Sequence, residues 1–222
     1  LANSKLHIST SVQHGGAEDI YFALMLPVTI DTKEFLLRPV QHLPFSSQLQ
    51  INTEIADFST YLSSSGHAVS GRVSGTLLIN GSLDVPKVKG HIELLDGQYE
   101  SYETGLQLKG IRAFIKAYKD RIVLENLEAA ASKKGTLSAK GSIQASFKKL
   151  FPFEVKAALN EALIVNLDGT QAKSTGILTL SGNLSEALLK GKLNISSASI
   201  DIPDKIRKDP PSLNIQFKAA PK

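Results

Sequence analysis

Two stretches of this chain repeat one glycine-punctuated pattern in register. Gly75-Thr-Leu-Leu-Ile-Asn-Gly81-Ser-Leu-Asp-Val-Pro-Lys-Val-Lys-Gly90-His-Ile-Glu-Leu returns as Gly176-Ile-Leu-Thr-Leu-Ser-Gly182-Asn-Leu-Ser-Glu-Ala-Leu-Leu-Lys-Gly191-Lys-Leu-Asn-Ile, each glycine 101 residues on (75 to 176, 81 to 182, 90 to 191). A third opening, Gly135-Thr-Leu-Ser-Ala-Lys-Gly141-Ser-Ile, lies between them. Strands that recur in this way are each too small to bury their own apolar face and become stable by stacking on their neighbours. The pattern points to one extended sheet and away from a compact enzyme.

Period-2 alternation runs through most of the chain. Leu137, Ala139, Gly141, Ile143, Ala145 and Phe147 alternate with Thr136, Ser138, Lys140, Ser142, Gln144 and Ser146, so one face of such a strand is dry and the other wet. A sheet covered on both faces would show continuous apolar runs instead. The apolar parity flips across Gly110, from Leu106 and Leu108 to Ile111, Ala113 and Ile115, and a bulge there would keep both halves facing the same way.

Asn80-Gly81, Asp96-Gly97, Lys119-Asp120 and Asp168-Gly169 read as turns between strands, so that neighbours pair as antiparallel hairpins. Gly81, Gly90, Gly97, Gly141, Gly182 and Gly191 are assigned to turns. One segment breaks the β pattern: Asp57 can cap a short helix near 57–64, with Phe58, Tyr61 and Leu62 at helical spacing and Ser63-Ser-Ser-Gly66 as its stop. Leu43-Pro44-Phe45 and Phe151-Pro152-Phe153 form a second echo, each ahead of one copy of the glycine repeat. The expected organisation is a single elongated β domain over 1–222, with internal repeats at about 43–118 and 151–205.

Composition removes several kinds of chemistry. The chain has no cysteine, which excludes disulfides, thiol catalysis and Cys-ligated zinc. His7, His14, His42, His67 and His91 stand without a second ligand at metal-binding spacing, and no nucleophile elbow or phosphate loop occurs. No metal, cofactor, catalytic residue or nucleic-acid partner is expected. The net charge of +4 comes mainly from scattered lysines, the usual mark of a solvated outer face and protected sheet edges. No apolar run reaches the ~20 residues of a membrane-spanning helix; the nearest, Ile20 to Ile30, is interrupted by Pro27. The chain opens on Leu1 and holds one methionine, Met25, so it reads as a piece of a longer protein.

The apolar face admits two architectures. Two sheets could close on each other as a sandwich, with function carried by loops, or one curled sheet could leave the face open as a trough. Alternation alone is common to both.

The succession Val69-Ser-Gly71, Gly75 to Gly81, Val85-Pro86, Gly90-His-Ile-Glu-Leu-Leu-Asp-Gly97-Gln-Tyr99, Gly105-Leu-Gln-Leu and the later Ala198-Ser-Ile-Asp-Ile-Pro203 resembles the C-terminal region of the TamB family, translocation and assembly module proteins related to AsmA-like proteins. The resemblance covers about Leu43 to Lys205. It implies an all-β, elongated, curled antiparallel sheet, a β-taco-like trough with a hydrophobic inner face. The implied protein is periplasmic and non-enzymatic, anchored in the inner membrane of a Gram-negative bacterium by a segment outside this chain, and reaches a membrane at each end. Its groove would carry phospholipid by the acyl chains and support outer-membrane protein assembly with an Omp85-type, TamA-like barrel, this segment being monomeric. On that reading the groove residues are Leu77, Ile79, Ile92, Leu94, Ile111, Ile115, Leu137, Ile143, Phe147, Val155, Leu159, Leu178, Leu180, Leu193 and Ile195. Ala187 replaces Pro86 and Ala198 replaces Gly97 in the second copy, which is expected to turn less sharply. The alternative is a docking module whose sheet edge captures a partner strand.

Overall fold

A computed structural model describes residues 3–14, 17–31, 36–55, 66–167 and 169–201. The helix expected near 57–64 lies outside the described residues. The rest is built from twelve strands: β1 (Asn3–His14), β2 (Ala17–Asp31), β3 (Leu36–Pro39), β4 (Phe45–Glu54), β5 (His67–Gly81), β6 (Pro86–Ser101), β7 (Gln107–Lys119), β8 (Arg121–Ala130), β9 (Thr136–Gln144), β10 (Phe153–Leu167), β11 (Thr170–Gly182) and β12 (Ala187–Ile200). They form one open antiparallel sheet in the order β1-β2-β4-β5-β6-β7-β8-β9-β10-β11-β12, with β3 also paired to β2. Sequential strands are spatial neighbours almost throughout, as hairpin chemistry dictates. No second sheet faces the first among the described residues, so the trough architecture is the one adopted.

The two copies of the glycine pattern are the hairpins β5–β6 and β11–β12. Val73 to Gly81 pair with Leu94 to Pro86, and Ser174 to Gly182 pair with Ile195 to Ala187, residue for residue at the repeat offset. Both hairpins close over four residues, 82–85 and 183–186, so Ala187 in place of Pro86 does not relax the second turn. Asn183 compensates locally: its side-chain oxygen accepts from the backbone N–H of Ser185 at 2.8 Å and of Glu186 at 3.2 Å, the asparagine form of a turn.

Three local readings change. Asp96-Gly97 is not a turn: β6 runs through it as a bulge, with Asp96 at φ 51° and the pairing to β7 shifting on both sides of Gly97. Gly90, Gly141 and Gly191 likewise lie inside strands. There a β-carbon would meet the carbonyl of the adjacent strand, from Thr76, Glu154 and Ile177 respectively, so close backbone approach accounts for the glycines. Gly81 and Gly182 do end their strands at hairpins. Gly81 takes φ +101°, and a β-carbon would lie 2.6 Å from the Val85 carbonyl oxygen. The third opening, at Gly135, leads into β9 and forms no equivalent hairpin.

The parity flip at Gly110 is a bulge: φ there is +59° and the β7–β8 register shifts between Lys109 and Arg112. Lys119-Asp120 is a two-residue hairpin closed by Tyr118 opposite Arg121.

Candidate functional site

Register carries one side-chain row across the whole sheet. Val12, Ile20, Ile51, Gly75, Ile92, Ile115, Leu124, Gly141, Val155, Leu180 and Leu189 stand opposite one another strand after strand from β1 to β12. The next row on the same face is Thr53, Val73, Leu94, Ala113, Leu127, Ala139, Ala157, Leu178 and Gly191. Neither row contains a charge. At about 4.8 Å per strand the first row follows the curve of the sheet for roughly 48 Å.

The sequence-assigned groove residues fall on this face, with one outside a strand. Ile79 stands opposite Val88, Leu77 opposite Gly90 and Ile111 opposite Gly97. Ile143 lies between Ile122 and Phe153, and Leu159 between Leu137 and Gly176, which in turn faces Leu193. Ile195 faces Ser174, a polar inward residue whose hydroxyl is buried and donates to the Asn194 carbonyl at 3.2 Å. Phe147 sits in the β9–β10 loop, because β9 ends at Gln144.

This face is incompletely covered. Its fully buried members are mostly alanines and a few larger residues such as Val88, Ile111 and Leu159. Leu180 and Leu193 keep nearly two-fifths of their surface and Ile195 more than half (39, 38 and 56 %). Small side chains and glycines let the strands bend inward, while the longer aliphatic groups line the concavity with no further layer over them among the described residues.

Curling brings distant elements together at one end. Phe45 at the start of β4 meets Phe147 edge-to-face, ring centres 6.1 Å apart, and Phe147 meets Phe151 in the same manner at 4.9 Å. Lys148 pairs with Asp84 of the β5–β6 turn at 2.8 Å, and the Leu184 N–H of the β11–β12 turn donates to the Leu150 carbonyl at 2.9 Å. The 145–152 loop is thus a tie between two repeat hairpins. At the opposite end the Asn166 N–H of β10 donates to the Thr104 carbonyl of the β6–β7 turn at 2.8 Å, across the short β8–β9 hairpin. Sequence reasoning left Phe45 and Phe151 out of the site; the Leu-Pro-Phe and Phe-Pro-Phe echo was the signal that could have found them.

Among the described residues no three His, Cys, Asp or Glu side chains gather as a metal site. The Tyr99 hydroxyl lies 3.1 Å from His67 Nδ1, with the rings stacked at 5.8 Å, a cross-strand pair of the kind that stabilises a sheet. What the geometry offers is non-directional apolar contact over a long path.

The family model for the TamB C-terminal domain matches residues 125–219, from within β8 past the end of β12. The matched stretch holds the second glycine copy; the first lies outside it. No curated protein matches the chain, and no solved structure does.

Proposed function

We propose, from the match of residues 125–219 to the TamB C-terminal domain, a family of Gram-negative envelope proteins, that this chain is a periplasmic segment whose apolar trough conducts phospholipid between inner and outer membranes and supports outer-membrane protein assembly with an Omp85-type barrel. The observation that carries this reading is the charge-free row from Val12 to Leu189, continuous over eleven strands and only partly buried. Burial of each acyl CH2 against such a face is worth about 0.8 kcal/mol, and the contact has no preferred direction. A chain can therefore be held and still slide. Fixed polar anchors would oppose sliding; of the inward polar residues, Ser174, Thr53 and Ser101 are small and buried, and the Tyr99 hydroxyl lies 3.1 Å from His67 Nδ1. Headgroups would remain outside the concavity, in water.

The decisive experiment places photo-crosslinking residues at Ile92 and Leu193, on the inner face, and at Lys89, on the outer face, followed by mass spectrometry of the purified protein and extracted lipid. Phospholipid adducts at the two inner positions and none at Lys89 are expected. No adducts at Ile92 and Leu193, or equal adducts on both faces, would remove the conduit reading.

One observation favours a second reading, a docking module. All of β12 is exposed and, among the described residues, no strand pairs with its outer edge. A free edge of this kind accepts an added strand through backbone hydrogen bonds. Partner crosslinks confined to β12, with no lipid in the trough, would favour it.

A further inference from the structure

We propose that the convex, outward face of β9–β12 is a basic docking surface for an anionic phospholipid bilayer, separate from the trough and independent of what the trough carries. Lys140, Lys156, Thr179 and Lys190 stand opposite one another on four successive strands, and Lys192 continues the patch one position along. Lys140 and Lys156 are direct cross-strand partners, an arrangement of like charges that works against the sheet. Glu154 and Glu161 are the acidic residues of β10 on this face; Glu154 pairs with Lys156 at 3.0 Å, and Glu161 accepts from the Thr175 hydroxyl at 3.4 Å. No ion pair among the described residues reaches Lys140, Lys190 or Lys192.

Elsewhere on the outer face Lys87 and Lys89 are exposed, but several other cations meet carboxylates. Arg72 pairs with Glu54 at 2.9 Å, Lys116 approaches Glu125 at 4.0 Å, and Arg112 stands opposite Glu128. A cluster of cations across four neighbouring strands, including a repulsive pair, favours an anionic counterpart. Ile177, opposite Lys192, and Leu188, two residues from Lys190, are exposed on the same face by 60 and 52 %. Lysines around exposed aliphatic side chains match a bilayer surface, where charge meets the headgroups and the apolar groups enter the boundary region. An acidic protein would use the charges and leave Ile177 and Leu188 without a role.

The test is flotation of the full chain with vesicles of phosphatidylcholine alone and of phosphatidylcholine with phosphatidylglycerol. Binding to the anionic vesicles is expected, weakening as salt is raised. Lys190→Glu with Lys192→Glu should reduce it at least 25-fold, on the basis of about fivefold per lysine. Lys87→Glu with Lys89→Glu, the same change of net charge on the β5–β6 half of the outer face, should reduce it much less. Lys140→Glu supplies a control against misfolding: it turns the repulsive pair with Lys156 into an attractive one, so the melting temperature should rise by roughly 1–4 °C while vesicle binding falls. Equal losses in the two double variants, equal binding to neutral and anionic vesicles, or no binding to anionic vesicles overturns the proposal.

Discussion

Leu178 stands directly opposite Gly191, and one of its methyl carbons would lie 2.5 Å from a β-carbon at that glycine. Leu77 and Gly90 form the same pair in the first copy. The leucine occupies space that the glycine leaves, which lets the strand opposite bend toward the concave side. The repeat thus encodes curvature as well as hairpins.

Alanine at these glycines should destabilise the fold unequally. β6 is held between β5 and β7, whereas β12 is an edge that can yield. Gly90→Ala should cost about 1–3 kcal/mol, the usual range for overpacking, which is a fall of several degrees for a chain of this size. Gly191→Ala should cost less. Thermal unfolding followed by circular dichroism measures both, and an unchanged melting temperature for Gly90→Ala would contradict the close approach.

The hairpin corner at Gly81 makes a separate prediction. Its positive φ and the nearby Val85 carbonyl leave no room for a side chain, so Gly81→Ala should lower stability by more than the ~0.4–1 kcal/mol that an alanine gains through the unfolded chain. Gly182→Ala should act in the same direction. A higher melting temperature in either variant would mean that the corner is relaxed in solution.

Curling of the sheet can be measured through Phe45 and Phe147. In a flat sheet β4 and the β9–β10 loop would be far apart; here the rings touch. A double-mutant cycle with Phe45→Ala and Phe147→Ala should give a coupling of about 0.5–1.5 kcal/mol, as aromatic pairs do. Zero coupling would indicate that this end is open.

Faces can be mapped chemically because the native chain contains no cysteine. In single variants, Ala139→Cys should resist maleimide in the folded protein, while Ser138→Cys and Lys140→Cys should react. Ala139 is buried and its two neighbours are exposed. Ile143→Cys should label at an intermediate rate, since that residue keeps about a third of its surface (36 %). Indistinguishable rates at 138, 139 and 140 would rule out the strand register, which a one-residue slip reverses.

An inward charge separates an open trough from a packed core. Leu193→Asp, near the exposed edge, should fold and take up less phospholipid, because its carboxylate can still reach water. Ile92→Asp lies mid-sheet and should cost more stability. Lys89→Asp, on the other face, should alter neither uptake nor folding appreciably. Folded Leu193→Asp that binds photo-reactive phospholipid as well as the parent would argue against acyl contact on this face.

Strand identity, the side chains sharing a face and the matched register of the two repeat hairpins were legible in the amino-acid sequence alone. Alternation is a property of consecutive residues in an extended backbone, and Leu137, Ala139 and Ile143 declare their common face without any knowledge of what surrounds them. Other features depended on distant parts. Asp96-Gly97 has turn chemistry, yet continued pairing of β6 to β5 and β7 converts it into a bulge. Gly90, Gly141 and Gly191 look like punctuation until the carbonyl of a neighbouring strand is seen where a β-carbon would stand. Phe147 continues the alternation of β9 but leaves the strand to meet Phe45. Above all, period 2 is the same in a sandwich and in a trough. The choice rests on twist and bend accumulated over eleven paired strands, and on the absence of another layer over the apolar face among the described residues, which no single strand contains.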